Sequence, residues 1–291
     1  MPPMRSLLFV PANRPNMVER AHAAPADVIC LDLEDSVPPA EKAAARDAIR
    51  AAVPSLKAAG RSVHVRLNHL DTGLAGDDLA AAVCPELDGL AFPKAEGGQQ
   101  IRDLDVLLRQ QELQKGVKPG SILLFPSIET ARGVLRCEEI ATASSRIGGV
   151  SLGAYDYALD LGVAHRADGR EIEYARRVVV HVCTAYGIIP LDGVFGDFRD
   201  EAGLVADVEY ARSIGMKGKY VIHPAQIEPV NRGFSPSDAE LEEARQIVAA
   251  FDEALARGHA SVQVDARMVD IPVANRARAL IEQAAALSRR D

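Results

Sequence analysis

The stretch that decides the fold is Ile122–Ser144, "ILLFPSIETARGVLRCEEIATAS". Its first half is a short apolar run closed by Pro, Ser, an acid and Thr. Its second half carries apolar residues at helical spacing. A strand, a polar turn and a helix in about 25 residues make one β/α unit. The same grammar recurs along the chain. Apolar runs rich in β-branched residues begin at Ser6, Val28, Ser62, Gly89, Ile122, Gly148, Gly187 and Gly218, with starts separated by roughly 22 to 39 residues. Runs that are almost continuously apolar belong to a sheet buried on both faces, which means parallel strands and crossover helices. The segments between them read as helices, among them "PAEKAAARDAIRAAVPSLKAAG", where Gly60 stands at a C-cap position.

Eight such units predict an α/β chain folded as a (β/α)8 TIM barrel over residues 1–232. The competing doubly wound sheet needs a phosphate-binding G-x-G-x-x-G after its first strand, and none is present. Residues 233–291 exceed what a closing helix requires. "SPSDAELEEARQIVAAFDEALARG" is a helix with Ser235 or Ser237 as N-cap and Gly258 as stop. A short strand-like piece and a last amphipathic helix follow. This C-terminal helical extension is expected to act as a lid or to pack on a neighbouring subunit.

Composition narrows the function. The 291 residues carry a formal net charge of −8 and no Trp, so nucleic acid and anionic membrane are poor partners. Cys30, Cys84, Cys137 and Cys183 form no C-x-x-C, and the seven His form no zinc pattern. Reduced thiols in a cytoplasmic protein are expected. The N-terminus lacks a signal-peptide core and cleavage site, and no apolar run is long enough to span a bilayer.

Barrel chemistry sits where strands end. The strand-end candidates are Glu34 and Asp35, Arg66 and Asn68, Lys94 and Glu96, then Glu129, Asp156, Asp192 and His223. Glu129 and Asp156 end consecutive strands and would stand side by side. Adjacent carboxylates repel unless one is protonated or a cation lies between them. Oxygen-only ligation points to Mg2+, which takes one or two carboxylates and fills its shell with water and substrate. Alternatively, both acids merely begin the following helices. Arg66 offers a planar fork to a substrate carboxylate, or is a structural partner of Glu34 or Asp35. Lys94, between Pro93 and Glu96, reads as an ion-paired loop lysine more readily than as a Schiff-base lysine. His223, followed by Pro224, reads as a hydrogen-bonded structural residue. Asn13 and Arg14 lie just past the first strand, where they could hold a phosphate; an exposed loop Arg is the equal alternative. Asp160, one helical turn beyond Asp156, reads as a surface acid. Asp270 is a good N-cap for the last helix.

The ordered set "RSLLFVPANRP", "LDLEDSVPPAEKAAAR", "VRLN", "PKAE", "SIETARGV", "LGAYDYALDLG", "GKYVIHPAQIEPVN" and "ARMVDIPVANRA" spans nearly the whole chain. It resembles the citrate lyase beta-subunit-like branch of the HpcH/HpaI aldolase family, which includes citryl-CoA, malyl-CoA and citramalyl-CoA lyases. The resemblance implies a Mg2+-dependent carbon–carbon lyase acting on a 3-hydroxyacyl-CoA thioester and a 2-keto acid. It implies Glu129 and Asp156 as metal ligands, and Arg66 on the keto acid and developing oxyanion. It places the backbone of Gly153 and Ala154 on the substrate carboxylate, with Glu34 and Asp35 nearby. Phe9 and Arg14 would face CoA, and Asp270 in "MVDIP" would be the catalytic acid–base group, in this chain or for a neighbouring subunit of a trimer-based homo-oligomer. Val269 stands where the family commonly has Ile. A CoA-independent class II pyruvate-type aldolase, and a lyase-complex subunit or acyl-CoA-binding module inactive alone, are the alternatives.

Overall fold

A computed structural model describes residues 3–166 and 168–288. Its strands are β1 Ser6–Pro11, β2 Val28–Asp32, β3 Ser62–Arg66, β4 Gly89–Phe92, β5 Leu123–Ile128, β6 Gly149–Leu152, β7 Ile189–Asp192 and β8 Gly218–Val221. Each lies parallel to its neighbours, and β8 pairs with β1 to close the barrel. All eight apolar runs therefore become the eight barrel strands. Every one of the five residues of β2, and of the four of β4, β6 and β8, is buried. Alternation turns Leu7, Val28, Cys30, Ala91, Phe125, Leu191 and Tyr220 into one inner cluster. Ile29, Leu31, Val63, Val65 and Leu90 point the other way, under the helices, and are wholly buried.

The intervening helices start and stop where the sequence places caps. Helix Lys42–Ala58 ends with Gly60 at a φ of +78°. Thr130 accepts from the Gly133 N–H to open helix Ala131–Leu135, and Asp200 does the same from Gly203 for helix Glu201–Ile214. The barrel side chains lie within a compact unit over Met4–Asn231.

A second compact unit runs from Arg232 onward. Within it, Ser237 caps helix Asp238–Ala256 through a capping box with Glu240. The strand-like piece is an antiparallel hairpin, β9 Val262–Val264 and β10 Arg267–Val269. Asp265 and Ala266 form its two-residue turn with φ of +46° and +61°, the left-handed pair a tight hairpin requires. Phe251, Val269 and Ala274 make this unit's small core. The four cysteines are free. Among the described residues, no helix is long and apolar enough to cross a membrane.

Candidate active site

Parallel register builds the site. Ser127 of β5 lies opposite Ser151 of β6, and Ile128 opposite Leu152. The next residues, Glu129 and Gly153, are therefore neighbours, and the Gly153 N–H donates to the Ile128 carbonyl at 2.8 Å. A Cβ on Gly153 would lie 2.5 Å from Cγ of Glu129. Only glycine lets that carboxylate tuck against the β6 backbone. Gly153 then opens helix Ala154–Asp160 with no side-chain cap. Its first amides, on Ala154, Tyr155 and Asp156, have no acceptor within the helix, and all three residues line a cavity of ≈80 Å³ with Glu129 and Arg66. Asp156 thus stands in a first helical turn, past the strand proper. It faces the cavity all the same, because the helix begins at the barrel mouth.

On the other side, Arg66 donates through Nε and Nη2 to the two oxygens of Asp32, both at 2.6 Å. Its Nη1 lies 3.0 Å from Glu34, and its guanidinium rests 4.5 Å over the Phe9 ring. Asp32 also accepts from the Ser36 hydroxyl at 2.5 Å and the Glu34 amide at 2.9 Å. Burial alone would raise the Asp32 pKa, but the hydrogen bonds and charge of Arg66 outweigh it and hold the group below its ordinary value. The partner of Arg66 is thus Asp32 first and Glu34 second. Asp35 instead meets Lys94 at 3.3 Å. Asp32 was not singled out in the sequence; its signal is an acid on the same strand face as Cys30.

Lys94 sits at a φ of +51°, uncommon for a side-chain-bearing residue. Its ammonium reaches Glu34 at 2.6 Å and Asp156 at 3.9 Å. Burial works to lower its pKa, but hydrogen bonding and charge from Glu34 prevail and raise it. It is an ion-paired ammonium and a poor Schiff-base nucleophile. Glu129 is 4% exposed. Burial first, then the charges of Glu34 and Asp156, push its carboxyl up to about 7. Five carboxylates, Asp32, Glu34, Asp35, Glu129 and Asp156, thus gather around Arg66 and Lys94, with the Lys42 ammonium behind them on the Leu33 and Glu34 carbonyls. Among the described residues, no group of three or more His, Cys, Asp or Glu is arranged to hold a metal. The donor set matches a small hard cation that uses two carboxylates and keeps water in its remaining positions.

Other strand-end candidates are placed elsewhere. Asp192 is fully buried in an ion-pair network with Arg176 at 2.8 Å and Lys219 at 2.6 Å. Asn68 donates to the Leu33 carbonyl and to Asp78. Glu96 lies 3.6 Å from Arg132. His223 is structural: its Nδ1 accepts from the Ala225 N–H in a capping box with Gln226, and its ring stacks on Phe198. Asp160 does more than face solvent, since it accepts from the Ala131 N–H at 2.7 Å and so ties the helix after β6 to the one after β5. Phe9 lies in the cavity wall. Arg14 is half-exposed, 3.9 Å from Glu41. In the C-terminal unit, Asp270 accepts from the Val273 N–H at 3.4 Å and the Ala274 N–H donates to its carbonyl at 2.9 Å, the geometry of an N-cap.

A family model described as HpcH/HpaI aldolase/citrate lyase matches residues 5–224. The citrate lyase subunit beta of Leuconostoc mesenteroides subsp. cremoris is 36% identical, over 96% of this chain and 93% of its own. An L-malyl-CoA/beta-methylmalyl-CoA lyase of Cereibacter sphaeroides (strain ATCC 17025 / ATH 2.4.3) is 37% identical, over 98% of this chain and 96% of its own. The crystal structure of CitE from Mycobacterium tuberculosis, in complex with magnesium, acetoacetate and coenzyme A, matches with a TM-score of 0.80 and 31% identity over 98% of both chains.

Proposed function

The chain belongs to the HpcH/HpaI aldolase/citrate lyase family, and from that premise we propose that it is a Mg2+-assisted carbon–carbon lyase of CoA thioesters. It cleaves, or in reverse forms, a 3-hydroxyacyl-CoA, giving an acyl-CoA and a 2-keto acid. The observation that carries this reading is the buried Glu129 carboxyl beside Asp156 at the barrel mouth, where the nearby Lys94 ammonium is held by Glu34 at 2.6 Å and shared with Asp156 at 3.9 Å. Relatives named as CoA lyases, and a similar structure holding both magnesium and coenzyme A, support it.

Glu129 and Asp156 would hold the Mg2+, which when bound supplies Lewis-acid polarisation of the substrate oxygens. Arg66, fixed by Asp32 and Glu34, presents its guanidinium edge to the keto-acid portion and to the oxyanion that develops on it. The amides of Ala154 and Tyr155 meet the acid's carboxylate, and Gly153 keeps the approach open. Glu34 and Asp35 orient Arg66 and Lys94 at the substrate's edge. Asp270, of this chain or of a neighbouring subunit, would be the proton-transfer group: in the condensing direction it takes the thioester's α-proton, leaving an enolate that attacks the keto carbon. Phe9 lies toward the reacting end, and Arg14 meets the CoA phosphates. A trimer-based homo-oligomer and a cytoplasmic setting belong to the same reading.

The test is a product-mass screen of the purified chain with acetyl-CoA or propionyl-CoA and glyoxylate, pyruvate or oxaloacetate, with and without Mg2+. Mg2+-dependent 3-hydroxyacyl-CoA formation is expected. Turnover of free aldehydes without CoA would replace this reading with the pyruvate-type aldolase. Silence of the chain alone, with activity restored by partner subunits, would favour the complex-subunit role that the name of the Leuconostoc relative carries.

A further inference from the structure

Tyr220 lies on β8 with its ring inside the barrel, stacked on Phe9 at 4.5 Å between centroids. It is 3% exposed, and its hydroxyl has no hydrogen-bond partner among the described residues. A phenol buried without a partner is costly, and Phe would fill the same space without that cost. The hydroxyl has a use only if something enters the cavity that Tyr220 lines. Burial keeps the phenol protonated, so it is available as a donor.

The rest of the cavity decides what that ligand can be. Its lining is apolar or neutral, with Phe9, Ala91, Ser127, Ser151 and Val194 among it, apart from Arg66 and the acids Glu129 and Asp156. The one cation among its lining residues, Arg66, is held by Asp32 and Glu34 and, on the lyase reading, serves the keto group, which leaves it none to spare for a second carboxylate. Lys94 is turned to Glu34 and Asp35. At ≈80 Å³ the space is far below the roughly 300–1,000 Å³ of a whole small-molecule site, so it takes only the short end of a ligand. A methyl group or hydrogen fits so small a space. A second carboxylate placed there would be a buried anion without a cation.

Resting on the lyase reading, we propose that Tyr220 is a specificity-determining residue. Its hydroxyl donates a hydrogen bond to the keto-acid portion of the substrate, and the small cavity around it, with no free cation to meet a second carboxylate, selects a short 2-keto monocarboxylate over a 2-keto dicarboxylate.

The experiment uses the full chain and Tyr220→Phe. Each is titrated calorimetrically, in Mg2+, with glyoxylate, pyruvate and oxaloacetate, and the same acids are then run in condensation with acetyl-CoA. The wild type should bind and use one of the monocarboxylates at least about tenfold better than oxaloacetate. Tyr220→Phe should weaken monocarboxylate binding and raise its KM by about tenfold, the loss expected for one hydrogen bond to a charged ligand. kcat should change less, and the melting temperature should not fall. Oxaloacetate bound and used as well as the best monocarboxylate would overturn the selection, and unchanged binding by Tyr220→Phe would overturn the role of the hydroxyl. If no acid condenses with acetyl-CoA, yet Tyr220→Phe still loses the monocarboxylate in titration, the lyase reading fails and the assignment of Tyr220 survives.

Discussion

Glu129→Gln should stabilise the metal-free protein at alkaline pH while abolishing its response to Mg2+. The carboxyl is 4% exposed, and the ammonium beside it, on Lys94, is committed to Glu34 at 2.6 Å. Burial, with the neighbouring acids, raises its pKa from an ordinary 4.5 to about 7, a difference equivalent to about 3 kcal/mol. Because the folded value lies above the unfolded one, the carboxyl is neutral in both states below pH ~4.5 and costs nothing there. Between pH ~4.5 and ~7 the unfolded chain releases the proton first, and folding loses about 1.4 kcal/mol per pH unit. Above pH ~7 the whole penalty is present. Urea denaturation in EDTA should therefore find the variant and wild type closely matched at pH 4.5 and the variant up to about 3 kcal/mol more stable at pH 8. Mg2+ at about 100 times its Kd should then add about 2.7 kcal/mol to the wild type and none to the variant. A variant less stable than wild type at pH 8 in EDTA, or one stabilised equally by Mg2+, would refute the picture of a buried carboxylate waiting for a cation.

Gly153→Ala tests the close approach: φ is −92°, which suits any residue, so the cost is the new Cβ at 2.5 Å from Glu129. It should lose about 1–3 kcal/mol by denaturation and most of the Mg2+-induced gain; a variant with a normal Mg2+ response would separate Gly153 from Glu129. Arg66→Lys keeps the charge but not the fork that grips Asp32, so stability should fall by about 1–3 kcal/mol and kcat/KM by more than ~100-fold; near-normal kinetics would remove Arg66 from the reaction. Asp270→Asn preserves a good N-cap, so stability should stay within ~0.5 kcal/mol and Mg2+ binding near normal, while turnover drops ~100-fold or more; unchanged kinetics would leave Asp270 with its cap alone.

The barrel was legible because a strand buried on both faces spells itself as an apolar run, and its length and spacing need no partner to be read. Lateral contacts were not. Asp32 reaches Arg66 because the register pairs those two residues across β2 and β3, and nothing in a separation of 34 residues announces it. Tyr220 read as another apolar strand position, since an unpaired hydroxyl is a property of its surroundings. The hairpin of the C-terminal unit was half visible: alternation marked Val262–Val264, but Asp265–Ala266 lacks the Gly that usually betrays a left-handed turn.

Strand-end position by itself overcounts sites, and Asp192 shows why. It ends its strand in the same sequence position as Asp32 ends β2, and both are wholly buried. Asp192 and Asp207, however, meet Arg176 and Lys219, two acids against two cations, all within 2.9 Å. That network is neutral and has no need of a further charge. At the mouth the Lys94 ammonium is shared among Glu34 at 2.6 Å, Asp35 at 3.3 Å and Asp156 at 3.9 Å, and Arg66 is held by Asp32 and Glu34, so acids outnumber the cations that meet them. Burial raises the cost of each uncompensated charge, so on the proposed reading Glu129, buried with only a shared ammonium nearby, is the acid that a bound cation would relieve. Position finds the candidates in such a barrel, and local charge balance separates the acids proposed to bind a cation from those already paired.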